Sequence, residues 1–200
     1  MKQVCAVFAL CLGPIGAFAQ DLPGAFYVSG VANDDVLNVR AAPDAGATIL
    51  DTISPFATSI EVLELSADET WGLVSAGEGN GWAAMRFLEA ATGQDPNLIP
   101  RPMTCLGTEP FWSVGLLPRG AEFTTPEGRS DLTVVTEAAA PQGFMARLDE
   151  GPTLNRTLMI TRGQCSDGMS DRRFGWAATL FTESPEGNSA LTGCCTLDLR

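Results

Sequence analysis

From Ala25 to Glu89 apolar residues come in short runs, "FYVSGV", "VLNVR", "ATILDTI", "SIEVLEL", "WGLVSA" and "GWAAM", cut by Pro43-Asp44, Gly46 and Asn80-Gly81. Short alternating runs between turn residues predict a small antiparallel barrel. In "VLNVR" the alternation turns Leu37 and Val39 inward and Asn38 and Arg40 outward. No run with a helical period competes. The second half has the same grain: "FWSVGLL", "AEFTT", "DLTVVTE", "GFMARL", "RTLMITRG", "FGWAATLF" and "ALTGCCTLDL". Pro118-Arg119-Gly120, Pro126-Glu127-Gly128, Pro141-Gln142-Gly143 and Pro185-Glu186-Gly187 separate several of them. Seven or eight such strands predict a closed or nearly closed antiparallel barrel.

Between the halves, "TGQDPNLIPRP" (92 to 102) mixes Gly, Pro and polar residues without a period, as a linker does. The expected fold is therefore all-β, with two small antiparallel barrels in tandem, residues 22–91 and 103–200. The N-terminus "MKQVCAVFALCLGPIGAFAQ" carries Lys2, an apolar run from Val4 to Ile15 and the small-x-small triplet Ala17-Phe18-Ala19. That pattern predicts a signal peptide, residues 1–19, cleaved after Ala19. The run is shorter than the ~20 residues that span a bilayer, so no stable membrane insertion is expected after cleavage. Leu10 before Cys11 and Val4 before Cys5 do not suit a lipid-anchor site.

Charge sharpens the division. Residues 21–90 hold 11 acids against Arg40 and Arg86, a net −9, whereas residues 101–200 hold 12 acids against nine Arg, a net −3. Nucleic acid is a poor partner for such a chain, because phosphate binding needs clustered cations. The chain has no His. It therefore lacks the base or ligand of a cysteine peptidase, a zinc amidase or a serine hydrolase of ordinary type. Glu109, Asp167 and Asp171 are the acids that a glycosidase-like pair would use, but Asp-Gly is more often a turn and Glu-Pro an extended approach to a strand. The acids of "DGMSD" do not fall at calcium-loop positions. Arg172 and Arg173 read as solvated. No cofactor or metal is called for.

Four cysteines remain beyond the signal: Cys105, Cys165, Cys194 and Cys195. In an exported chain without C-x-x-C pairs they predict two disulfides in the second unit. Joining the neighbours Cys194 and Cys195 would strain the bond, since adjacent Cα atoms lie ~3.8 Å apart. On a strand the two side chains face opposite ways. Leu191, Cys195, Leu197 and Leu199 share one face, and Thr192, Cys194, Thr196 and Asp198 the other, unless Gly193 bulges. Each cysteine then needs its own partner, one against the core and one under a surface loop.

The order "VLNVRAAPDAGATILDTI", Trp71 with "GLV", then "GWAAMRFLE" resembles bacterial SH3-like (SH3b) domains over about 65 residues. Ala83 departs from the β-branched residue usual in that family. The resemblance implies a five- to seven-stranded barrel that binds a cell-wall peptide or glycan. Asn38, Arg40, Trp71 and Trp82 are the candidate ligand contacts, because aromatic faces and a planar guanidinium suit peptides and sugars. The alternative for each is structural: Trp82 closing the barrel, Arg40 pairing with nearby acids.

"CLGTEPFWSV", "CSDGMSDRRFGW" and "LTGCC" resemble an exported bacterial domain family of unknown function. That family often has one cysteine after its terminal Gly. The additional cysteine here, together with Cys105, suggests a second bond, which favours Cys165–Cys194 with Cys105–Cys195 and leaves the exchanged pairing open. The expected function is a non-catalytic periplasmic or secreted envelope protein whose SH3-like module binds a peptide or cell-wall component. A second class is an acidic inhibitor of a cationic envelope protein such as a lysozyme, steered by the net −9 charge. A third is a hydrolase of unrecognised type.

Overall fold

The computed structural model describes residues 22–198 and 200. The expected signal peptide and Leu199 lie outside them. Among the described residues the regular structure is β, apart from a single 3-10 turn at Met85–Phe87.

Seven strands precede residue 91: β1 (Gly24–Val28), β2 (Leu37–Arg40), β3 (Ile49–Ile53), β4 (Ile60–Val62), β5 (Trp71–Ala76), β6 (Gly79–Ala84) and β7 (Leu88–Ala90). They form two antiparallel sheets, β4-β1-β7 and β3-β2-β6-β5. The alternation read from "VLNVR" holds, with Leu37 and Val39 buried and Asn38 and Arg40 half-exposed. Leu37 and Val39 meet Phe26, Ile60, Val62 and Val74 in one core. Burying side chains of this size stabilises by roughly 1.5–3 kcal/mol each. The sheets are joined where the chain after β4 runs beside β5, with the Leu63 N–H donating to the Leu73 carbonyl and the Leu73 N–H to that of Glu64, both at 2.9 Å. This unit is thus a barrel in two walls, not one continuous hydrogen-bonded cylinder.

The second unit closes fully. Its strands are β8 (Met103–Thr108), β9 (Phe111–Leu116), β10 (Ala121–Thr125), β11 (Gly128–Ala140), β12 (Gly143–Asp149), β13 (Asn155–Cys165), β14 (Phe174–Ser184) and β15 (Gly187–Thr196). They run in the order β10-β11-β12-β13-β14-β15-β8-β9, and β9 pairs with β10 to seal the barrel. All four Pro-x-Gly signals fall at hairpins. Gly120 (φ 81°) and Gly187 (φ 133°) adopt backbone angles there that side chains resist. Alternate residues fill the interior, among them Trp112, Val114, Leu148, Leu158, Ile160 and Trp176.

The neighbouring cysteines bond in opposite directions. Cys105 is joined to Cys195, its register partner across β8 and β15, inside the barrel core. Cys194, on the other face, is joined to Cys165, where β13 leads into the loop 166–173. Register along β14 and β15 is continuous through Ala178↔Gly193, so Gly193 makes no bulge. A Cβ at Gly193 would run into the Leu106 carbonyl oxygen. Glycine here lets β8 approach.

The two units are packed against one another. Gly175 on β14 lies under the Pro23 ring and Leu63, with no room for a Cβ. The Asn80 carboxamide accepts from the Arg173 N–H at 2.7 Å and donates to the Arg173 carbonyl at 3.3 Å. Arg173 Nη2 reaches Glu64 at 2.8 Å, Arg200 Nη2 reaches the Ser75 carbonyl at 3.0 Å, and the Ser59 hydroxyl donates to the Leu197 carbonyl at 2.5 Å. Arg173 keeps an exposed side chain, as read from the sequence, while pairing with Glu64. Arg172 is more engaged: it donates to Thr196 Oγ1 at 3.0 Å and lies over the Phe174 ring.

At the centre of this contact is Glu61. It is buried, accepting from the Trp176 indole N–H at 3.1 Å and the Thr196 hydroxyl at 2.8 Å. Burial pushes its carboxyl from 4.5 up to about 7, against the bonds from Thr196 and Leu197 and the positive charge of Arg172, with Asp198 adding to the rise. The segment 92–102 is also anchored. Ile99 belongs to the barrel core, and Arg101 pairs with Glu137.

Candidate functional site

The outward face of the β3-β2-β6-β5 sheet gathers the four sequence-derived candidates. Arg40 and Trp82 are register partners across β2 and β6, and Trp71 on β5 faces Ala84 on β6. Because side chains alternate, Asn38, Arg40, Trp82, Ala84 and Trp71 all project from this one face. Asn38, Arg40 and Trp71 line a groove of about 370 Å³, bounded by the loop after β1 and by the 3-10 turn. Trp82 does not line it. It stands half-exposed beside Arg40, on the same face.

Sequence reading missed three groove residues: Asp35, Arg86 and Phe87. A signal for Arg86 was present, since it is the second of two Arg in an acidic stretch of 70 residues. Its place beside the groove depends on the 3-10 turn, which swings Met85–Phe87 out of the β6 line before β7 begins. The Arg86 guanidinium lies 4.5 Å from the Phe87 ring centroid, a cation–π contact that orients it. Arg40 does not pair with acids. Its Nη1 donates to the Ala47 carbonyl at 2.7 Å, bracing the β2–β3 turn, and it makes no ion pair among the described residues.

The groove therefore combines two guanidinium groups, one carboxylate, an amide and two aromatic faces. Stacking, hydrogen bonding and charge recognition are within its chemistry.

Of the acids considered for a glycosidase-like pair, Glu109 and Asp167 line one hollow on the second unit and Asp171 does not. Asp167 Oδ1 accepts from the backbone N–H of Met169 at 3.0 Å and of Ser170 at 2.9 Å, and the Ser170 hydroxyl donates to it as well. Partial burial tends to raise this carboxyl, but those bonds outweigh it and hold it below the usual carboxylate range. Asp167 thus organises its own loop, which Thr108 ties to β8 by donating to the Asp167 carbonyl at 3.0 Å. No cluster of three or more metal-ligating side chains occurs among the described residues. No helix among them is long and apolar enough to cross a membrane.

Residues 35–89 match the family model of a bacterial SH3 domain. The matched stretch contains β2 to β6, the 3-10 turn and most of the groove lining. No curated protein and no solved structure matches the chain.

Proposed function

We propose that the protein is a non-catalytic, exported envelope protein that binds a peptide or a peptide-bearing cell-wall component in the groove of its N-terminal unit. The observation that carries this reading is the convergence of Asn38, Arg40 and Trp71, from two strands of one sheet, with Arg86 and Phe87 on a single groove. The match of residues 35–89 to a bacterial SH3 domain supports a ligand-binding module there. The disulfide-bonded barrel serves as the rigid body on which the module is held. Its "CLGTEPFW", "CSDGMSD" and "LTGCC" phrases are consistent with that role. They supply both disulfides, the close strand approach at Gly193 and the loop closed by Asp167.

The test is co-sedimentation of the mature chain with purified peptidoglycan sacculi, followed by calorimetry with soluble muropeptides. A truncated aromatic contact at the centre of an interface costs ~1.4 kcal/mol or more, ~10-fold in affinity. Trp71→Ala is expected to weaken binding by about that factor, and Asn38→Ala by less, with unfolding midpoints unchanged. Undiminished binding by Trp71→Ala, or turnover of peptidoglycan by the purified protein, would overturn the reading.

A further inference from the structure

We infer that the groove is built to hold a free carboxylate of its peptide ligand, clamped between Arg40 and Arg86. The inference rests on the binding role proposed above and adds the chemistry of the ligand. Its starting point is a contrast of charge. Residues 21–90 carry 11 acids and two Arg, and both Arg line the same groove. With Asp35 as the one acid of the lining, the groove has a net charge of +1 within a stretch, residues 21–90, whose net charge is −9.

Six of the nine arginines beyond residue 100 pair with carboxylates among the described residues. Arg101 pairs with Glu137, Arg129 with Glu122, Arg147 with Asp149, Arg156 with Glu150, Arg173 with Glu64 and Arg200 with Asp198. Arg40 and Arg86 pair with none among the described residues, although acids outnumber bases twofold in the sequence. Arg40 gives one donor to Ala47, and Arg86 lies over Phe87. Each guanidinium carries five N–H donors, so several stay available. A planar fork on a preset side chain suits a carboxylate, which it can bond through two parallel N–H contacts. Trp71 and Phe87 then offer faces to the residue that bears it, and Asn38 can bond its backbone. An entirely cationic ligand would meet two like charges in the groove and is disfavoured there.

The probes are three N-acetylated tripeptides: Ala-Ala-Ala as the free acid, Ala-Ala-Ala as the amide, and Ala-Glu-Ala as the amide. Each is titrated to about 10 mM, the range of weak peptide binding, into 15N-labelled mature protein, and the Trp71 indole N–H is followed by NMR. The free acid is expected to bind at least ~5-fold more tightly than its amide, in keeping with the strength of charge-assisted bonds. Arg86→Gln, which leaves an exposed position without its charge, should reduce that ratio to below about twofold, and Arg40→Gln should act alike. Raising salt from about 50 to about 400 mM should weaken the acid and leave the amide nearly unchanged.

The Ala-Glu-Ala amide separates the two sources of carboxylate. Binding like the acid assigns the clamp to side-chain or terminal carboxylates alike, and binding like the plain amide assigns it to chain ends. Both support the inference. Equal binding of acid and amide, with Trp71 still responding, would overturn the carboxylate clamp while leaving the groove as the binding site. Silence of Trp71 to all three peptides would overturn both.

Discussion

Replacing Glu61 by Gln isolates the energy of one buried carboxyl at the contact between the two units. The carboxyl sits between the Trp176 indole N–H and the Thr196 hydroxyl, with Arg172 and Asp198 as the charged groups that bear on it. Its rise from 4.5 to about 7 is a preference of the folded state for the protonated form. One pKa unit corresponds to about 1.4 kcal/mol, so the shift amounts to about 3 kcal/mol. The folded chain holds the proton more tightly than the unfolded chain. That stability is therefore fully present below pH 4.5, falls as pH rises, and is gone above pH 7. Asp68, Glu89 and Glu127 are held below their ordinary values by hydrogen bonds from Ser66, Ser29 and Thr125. They act with the opposite sign in a lower pH window and do not mask the effect.

Glutamine keeps the shape and an acceptor for the Trp176 N–H, but it does not titrate. Urea unfolding of wild type and Glu61→Gln, followed by tryptophan fluorescence, should give similar stabilities near pH 4.5. One unit above the folded pKa, the variant should be the more stable by about 3 kcal/mol. Parallel stability curves across that window would refute the reasoning, for they would mean that the carboxylate is solvated or fully compensated when ionised.

Two further perturbations test the architecture. Replacing Cys105 and Cys195 together by Ala should cost more than replacing Cys165 and Cys194. The bonds close loops of 90 and 29 residues, for which chain entropy predicts about 4.6 and about 3.6 kcal/mol, and the first pair also leaves the core; a smaller loss for the Cys105–Cys195 pair in urea unfolding would contradict this. Gly175→Val should wedge the units apart at Pro23 and Leu63 while the barrel stays folded. The readout is faster proteolysis between residues 92 and 98 with an unchanged barrel near-UV spectrum, and protection equal to wild type would show that the contact tolerates the side chain.

Local pattern was sufficient for many strands, although Asn80-Gly81, expected to cut the chain, lies inside β6. The period of two in "VLNVR" and the Pro-x-Gly signals mark strand faces and hairpins, because both follow from backbone geometry within a few residues. The strand "MTCLGT" (β8) is harder to read, since its Gly107 interrupts the apolar alternation. That Gly is needed because Trp112 and the Thr192 carbonyl leave no room for a Cβ. Three of the four candidates line the groove, Trp82 does not, and Asp35, Arg86 and Phe87 were missed. Asn38, Arg40 and Trp71 lie on outward strand positions, whereas Arg86 and Phe87 come from a 3-10 turn with no periodic signature.

The contact between the units was hidden for a related reason. Glu61 occupies an outward position of β4, Thr196 an outward position at the end of β15, and Asp198 continues that alternation two residues beyond it. Alternation assigns all three to solvent. Only when two outward faces meet does polar outside become polar interior. Charge was the available hint: the acidic unit lies against Arg172, Arg173 and Arg200 of the less acidic one, so the net −9 read from the sequence is partly answered within the chain.

This arrangement bears on how the groove stays open. Among the described residues, those that join the first unit to the barrel include Pro23, Ala25, Ser59, Glu61, Leu63, Glu64, Ser75 and Asn80. None of them lines the groove. Docking on the barrel therefore sets the acids of β4 and its following segment against the barrel's cations, and leaves Arg40 and Arg86 in a groove whose one acid is Asp35. A solitary copy of the module would expose Glu61 and leave Glu64 without Arg173, raising the negative field around a groove proposed to take an anionic ligand. A barrel that buries Glu61 and pairs Glu64 with Arg173 would make the cationic groove more accessible to such a ligand. In the proposed function the barrel would contribute to binding through electrostatics as well as rigidity, without touching the ligand.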